Sequence, residues 1–234
     1  MGRALRAAVG GLVYHVLNRA NNRRPLFEGP ADYEAFERVL GEAQAVHPVP
    51  LLAYCVMPNH WHLVLAPVGD GDLSRFVGWL TLTHTQQWHA HRHTTGSGHL
   101  YQGRFKSFAV ETDDHFLTVC RYVERNALRA GLVARAEDWR WGSLWRRGQS
   151  AAEPPLVLSD WPVSPSSDWI ARVNAAFTVS EEEAVRRCIR RGRPFGSEKW
   201  VAESVARLRQ QVTMNPRGRP RKSRGTGPLL PFAE

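Results

Sequence analysis

The chain has 234 residues, which suits one domain or one domain with an appendage, and 43% of them are hydrophobic, enough for a real core. The net charge is +9, and its excess is concentrated: residues 186–224 carry thirteen Lys/Arg and two acids, whereas residues 148–185 carry one Arg and six acids. No apolar run is long enough to span a bilayer, and Cys55, Cys120 and Cys188 form no CxxC pair, which excludes a membrane-spanning helix and argues against a disulfide scaffold. Reduced thiols in a cytosol fit better. The basic block suits a polyanion, most often nucleic acid; its alternative is a solvated basic tail without a defined partner.

The opening MGRALRAAVGGLVYHVL has the outline of a short signal peptide, but His15, Asn18 and Arg19 interrupt it. Residues 12–19, LVYHVLNR, read better as a strand. RANNRRPLFEGP is a polar turn with Pro and Gly. Residues 31–47 place Tyr33, Phe36, Val39, Leu40 and Ala43 at helical spacing, and Pro48 and Pro50 stop that helix. LLAYCVM (51–57) and HWHLVLAP (60–67) read as two strands joined by the Pro58-Asn59 turn. A helix over 72–93 follows, with an apolar stripe from Leu73 to Trp88 and Asp72 as its cap. After the loop 94–103, RFKSFAVE (104–111) is a fourth strand. Thr112 caps a helix whose first turn holds Asp113 and Asp114 and whose buried face includes Phe116, Leu117, Val119, Cys120 and Val123.

This order is α+β: a ferredoxin-like, split β-α-β-β-α-β antiparallel sheet with helices on one face and an added C-terminal helix. It occupies residues 1–148. Residues 149–178, rich in Pro, Ser and Ala, read as a linker. A helical pair over 179–212 follows, opened by an S-x-x-E capping box at Ser180 and Glu183, with Ser197 capping its second helix. It is either a helix-turn-helix or a packed helical hairpin with a basic face. Residues 213–234 are a basic tail with too few apolar residues to fold alone.

His60 and His62 sit at i and i+2 of a strand, so they project from one face ~6.6 Å apart while Trp61 turns the other way. Two imidazoles on a stiff strand make half of a metal site; the alternative is a pair facing solvent. HAHRH (89–93) has the same spacing, but at a helix end, where i and i+2 diverge by ~200°. Surface histidines are the simpler reading there. Tyr122 and Asn126, at i and i+4, are neighbours on one helix face. A helical Tyr is ordinarily a packing residue, but with Asn126 lending a carbonyl oxygen to a metal, Tyr122 lies about one helical turn from it.

Taken together, MPNHWHLVL, QGRFKSF, Tyr-x-x-x-Asn followed by RAGLV, and YHVLNRANNRRPLF at the start resemble the single-tyrosine HUH transposases, in particular the bacterial REP-associated tyrosine transposases. The resemblance covers about residues 10–147, and RRGRPFGSEKW resembles extensions of that branch. It implies that His60, His62 and Asn126 bind Mg2+ or Mn2+ and that Tyr122 is the nucleophile. It implies a 5′-phosphotyrosine and a free 3′-hydroxyl on single-stranded or hairpin DNA such as REP elements, in the bacterial cytoplasm at the nucleoid. Homodimer and monomer are both open. Ala127 stands where many relatives have Pro and can extend the helix by a turn.

Arg19, Arg23, Arg24, Arg104, Lys106, Arg121, Arg125 and Arg129 are candidate phosphate contacts, each with a solvated surface charge as its alternative. Arg217, Arg219, Arg221 and Lys222 lie in RGRPRK, which resembles an AT-hook core that enters a narrow minor groove. Tyr101, Phe105 and Phe108 can stack on bases or pack in the core. A non-catalytic DNA-binding regulator is the second reading. An RNA-binding module is the third and leaves the histidines unexplained.

Overall fold

Strand β1 (Val13–Arg19) runs through the middle of the molecule and pairs on both sides, which is why six of its seven residues are buried. A computed structural model describes residues 8–149 and 156–214. After β1 come α1 (Pro30–Val46), β2 (Leu51–Met57), β3 (His60–Leu65), α2 (Asp72–His91), β4 (Lys106–Val110) and α3 (Asp114–Glu124). The sheet order is β2-β3-β1-β4, with every pair antiparallel. This is the expected α+β, split β-α-β-β-α-β arrangement.

The alternation of each strand sorts its side chains between two cores. Tyr14, Val16, Tyr54, Val56, Trp61, Leu63 and Leu65 pack with α1 and α2. Val13, Cys55, Val64, Phe108 and Val110 pack on the opposite side with Phe116, Val119, Cys120 and Val123 of α3. The helices therefore cover both faces, not the one expected. The reason is α3, whose apolar face lies back across the sheet. With both faces covered, β2 reads as an unbroken apolar run, and all seven of its residues are buried.

The Pro58-Asn59 turn joins β2 to β3 as expected, with Met57 paired to His60. It is braced from outside: Leu26 N and Phe27 N donate to Pro58 O, and Ala20 N donates to Asn59 O. Beyond α3, Arg125 (φ −80°, ψ −7°) is the cap between two helices, and the one-turn α4 (Asn126–Arg129) continues the path. A short α5 (Ser143–Arg147) ends the first part of the chain.

Several boundaries differ from expectation. Asp113, not Thr112, caps α3, accepting from His115 N. Gly71 (φ +84°) is the cap of α2, and Asp72 is its first residue, bonded instead to Gly69 N. The capping box of α7 (Val179–Arg191) is Thr178 with Glu181, two residues earlier than expected. Ser197 caps α8 (Glu198–Arg207), as expected.

The segment expected as a linker packs onto the domain over its described part. Leu156, Trp169 and Val173 are buried, and α6 (Trp169–Asn174) lies against α3. Trp161 donates through Nε1 to Leu52 O, and Trp169 to the buried Glu124. Four aromatic or branched side chains at these positions outweigh the Pro and Ser content that suggested a linker. α7 packs against α3 and β4 through Val185 and Cys188, while Trp200 of α8 and the following Leu208 join the α1/α2 side. Between them Phe195 bridges to Val110 and covers the free edge of β4. The helical pair thus straddles a sheet edge, and its apolar faces are spent on that packing.

Candidate active site

β3 carries both histidines and the tryptophan between them to opposite faces. Trp61 is fully buried on the α1/α2 side, where its Nε1 donates to Tyr101 Oη (3.0 Å), which in turn pairs with His84 Nδ1 (2.8 Å). His60 and His62 leave the sheet on the α3 side with ring centroids 5.0 Å apart and rings nearly perpendicular. Tyr122 of α3 faces them: its ring centroid lies 6.0 Å from that of His62.

Each histidine has one ring nitrogen engaged. His60 Nδ1 is 2.7 Å from Asn59 Oδ1 of the turn, and His62 Nδ1 is 2.8 Å from Nε2 of His15 on β1. No hydrogen bond to a described residue engages Nε2 of either ring. Burial pushes His60 down to about 3, helped by the charges of Arg19 and Arg129, and holds His62 well below the usual imidazole range. Both rings are therefore neutral at neutral pH, the form a metal needs.

Arg129 of α4 ties the helix residues together. Its Nη1 donates to Tyr122 Oη (3.1 Å) and to Glu182 Oε1 of α7 (2.8 Å), and its Nη2 donates to Asn126 Oδ1 (2.5 Å). The guanidinium also lies over the Tyr122 ring, 4.7 Å from its centroid. Asn126 is fully buried, and its Nδ2 donates to Val123 O. The two neutral imidazoles with free Nε2 atoms fit a divalent cation, whereas the carbonyl of Asn126 is held by Arg129.

The expected DNA contacts separate into groups. Arg19 is opposite His60 in register, and Lys106, Leu17 and His62 form one row across β4, β1 and β3. Residues in register share a face, so Arg19 and Lys106 leave the sheet on the histidine side. Arg23, Arg104 and Lys106 are exposed. Arg24 instead lies over the Trp88 ring, 5.0 Å from its centroid.

Arg121 and Arg125 are engaged within the protein. Arg121 donates to the carbonyls of Arg172, Ala175 and Ala176, and Arg125 to those of Val173 and Asn174. They satisfy the carbonyl end of α6, which explains their clustering on α3 without a phosphate. Arg217, Arg219, Arg221 and Lys222 lie outside the described residues.

Other sequence candidates fall into the core. Tyr101, Phe105 and Phe108 are buried. In HAHRH, His89 is buried rather than on the surface, with Nδ1 on Thr94 Oγ1 at 2.8 Å, while His91 and His93 are exposed. The three cysteines are free and buried. One further group of ligand type, Glu111, Asp113 and His115, comes together among the described residues. Its oxygens are already used: Asp113 accepts from His115 N and pairs with its Nδ1, and Glu111 accepts from Ser197 N and Oγ at the start of α8.

Sequence reasoning did not single out His15, Asn59 or Glu182. The signal for His15 is the β1–β3 register, in which Leu17 lies opposite His62 and His15 is its diagonal neighbour. Glu182 is 53 residues from Arg129, and no local pattern links them.

The family model for IS200-like transposases matches residues 8–126. Among solved structures, a REP-associated tyrosine transposase bound to a REP hairpin aligns with a TM-score of 0.54 and 20% identity, covering 71% of this chain and 96% of that one. At that identity the likeness concerns the fold. A transposase candidate from Deinococcus radiodurans R1 overlaps less, with a TM-score of 0.37 and 18% identity over 56% of this chain and 92% of that one. No curated protein is significantly similar in sequence. No helix among the described residues is long and apolar enough to cross a membrane. The matched region takes in the whole four-stranded sheet, both histidines of β3, Tyr122 and Asn126, and the chain belongs to the IS200-like transposase family.

Proposed function

We propose that the chain cleaves and rejoins single-stranded DNA, at hairpins of the REP kind, with Tyr122 as nucleophile. The observation that carries this reading is the meeting of Tyr122 with His60 and His62 on one face of the sheet, with ring centroids 6.0 Å and 5.0 Å apart. A buried tyrosine needs no histidine pair to pack; a phenol beside two free Nε2 atoms suits phosphoryl transfer.

His60 and His62 would hold Mg2+ or Mn2+, with Asn126 as the third ligand once its carbonyl is released by Arg129. The ion would supply neutralisation of charge on a non-bridging phosphate oxygen. Imidazole ligands alone favour later transition metals, so an oxygen donor matters for this choice.

The rest falls to the side chains. Tyr122 Oη bonds to phosphorus as the bond from phosphorus to the 3′-oxygen breaks. The phenol loses one proton and the departing 3′-oxygen gains one, so the step is balanced and leaves a 5′-phosphotyrosine and a 3′-hydroxyl. A free phenol, with a pKa of about 10, is a weak nucleophile at pH 7. Arg129 places a fixed positive charge and a donor on Tyr122 Oη, where negative charge must develop. The phosphotyrosine ester conserves the bond energy, so a 3′-hydroxyl reverses the step and joins strands without ATP. Arg19 and Lys106 share this face and suit flanking phosphates, with exposed Arg23 and Arg104 nearby in sequence.

The test is to incubate the protein with Mn2+ and hairpin-bearing single-stranded DNA from its own locus. A denaturation-resistant adduct is expected with the native chain. Tyr122→Phe should abolish the adduct while leaving hairpin binding intact. Cleavage that survives Tyr122→Phe overturns the assignment, and absence of any adduct with any divalent metal favours the non-catalytic DNA-binding regulator.

A further inference from the structure

We infer that His15 is a positioning residue that sets which nitrogen of His62 carries the proton, and so decides whether His62 can ligate a divalent cation; this rests on the metal reading above. The geometry is specific. His15 Nε2 and His62 Nδ1 are 2.8 Å apart, both rings are buried, and their centroids are 5.0 Å apart. Phe108 lies on His15 as well, 4.9 Å between centroids. His15 is wholly enclosed, sits on a central strand, and its Nδ1 has no hydrogen-bond partner among the described residues.

A neutral imidazole has one N–H and one lone pair. For His62 to offer the lone pair of Nε2 to a cation, its proton must sit on Nδ1, and that buried N–H needs an acceptor. Nε2 of His15 is the acceptor at hydrogen-bond distance. His15 then carries its own proton on Nδ1. In the opposite arrangement His15 donates through Nε2, the His62 proton moves to Nε2, and the nitrogen required by a metal is blocked. Two neutral rings thus have two proton arrangements, and only one of them ligates. An apolar side chain at position 15 would pack in this core but would leave His62 Nδ1–H without its acceptor, so nothing would then hold the proton on Nδ1 in the ligating form. Asn59 does the corresponding work for His60 through its side-chain oxygen. Such outer partners typically govern metal affinity by 10–100-fold.

The experiment compares the native protein, His15→Phe and His15→Gln. Mn2+ binding is read by electron paramagnetic resonance of the free ion, and the His62 tautomer by 15N NMR with Mg2+. Native protein should bind Mn2+ and show the proton on His62 Nδ1. His15→Phe should weaken Mn2+ binding by about 10–100-fold, with metal-free hairpin binding unchanged and adduct formation recovered at high Mn2+. His15→Gln, whose carbonyl can accept the same bond, should restore most of the affinity. Unchanged Mn2+ affinity in His15→Phe overturns the inference and leaves the metal site standing. If His15→Phe fails to fold, the tautomer decides: a proton on His62 Nε2 in the metal-loaded native protein overturns it. Native protein that binds no Mn2+ defeats the metal reading itself, a distinct result.

Discussion

The two faces of the sheet use similar side chains for different ends. On the α1/α2 face, Trp61, Tyr101 and His84 form a closed chain of hydrogen bonds, and Tyr54, Glu37 and Arg146 form another (2.6 to 2.9 Å). Here the polar groups satisfy one another, as buried groups must. On the α3 face, His62 and Tyr122 are buried and His60 is half-buried, yet each histidine has one nitrogen tied to a protein partner and the other left for something else. Adjacent residues of one strand therefore divide between structure and chemistry: Trp61 locks β3 into the fold, and that lock holds its two neighbours still. Rigidity made on one face is used on the other.

Single substitutions in the HWH triplet would break this comparison most sharply. Trp61→Ala removes a fully buried ring and should cost about 3–5 kcal/mol of stability, while the chain that remains folded keeps Mn2+ binding. His62→Ala should do the reverse, abolishing Mn2+ binding and adduct formation with a much smaller loss of stability. Denaturant unfolding and metal titration on both variants decide it. If His62→Ala is the more unfolded and still binds Mn2+, the division between faces is wrong.

A narrower test removes one oxygen. Tyr101→Phe leaves Trp61 Nε1 and His84 Nδ1 without their shared partner, and should destabilise by about 1–3 kcal/mol. Cleavage at saturating metal should stay near native. A loss of cleavage without a loss of stability would mean that the closed chain reaches through the sheet to the chemistry.

The smallest effects separate arginines that look alike in the sequence. Arg121→Ala exposes the carbonyl end of α6 and should lower the unfolding midpoint without changing the salt dependence of hairpin binding. Lys106→Ala should leave the midpoint unaltered and reduce the slope of log K against log salt by about 0.7 to 0.9. An unchanged slope would remove Lys106 from the DNA surface.

Much of this was legible in the residues. Alternation placed Trp61 opposite His60 and His62, helical spacing brought Tyr122 beside Asn126, and the turn at Pro58-Asn59 fell where expected. These are local patterns with periods of two and 3.6, and backbone geometry enforces them. The basic residues were less legible. Arg121, Arg125 and Arg129 recur at four-residue intervals on one helical stretch, but two cap a distant helix and the third holds the tyrosine. The partner of each lies far along the chain, and composition carries no trace of it. Residues 156–178 misled for the same reason, because their Pro and Ser content is local while the surfaces that bury Trp161 and Trp169 are not.

The sequence alone thus settles the elements from β1 to α3, their order and the side-chain types available for chemistry, because dihedral preferences and apolar periodicity act over a few residues. Which of those side chains meet was decided by tertiary packing. The β1–β3 register puts His15 on His62, the return of α3 across the sheet puts Tyr122 there too, and α7 brings Glu182 to Arg129. Hydrogen bonds of 2.8 Å demand a placement that only long-range burial can impose.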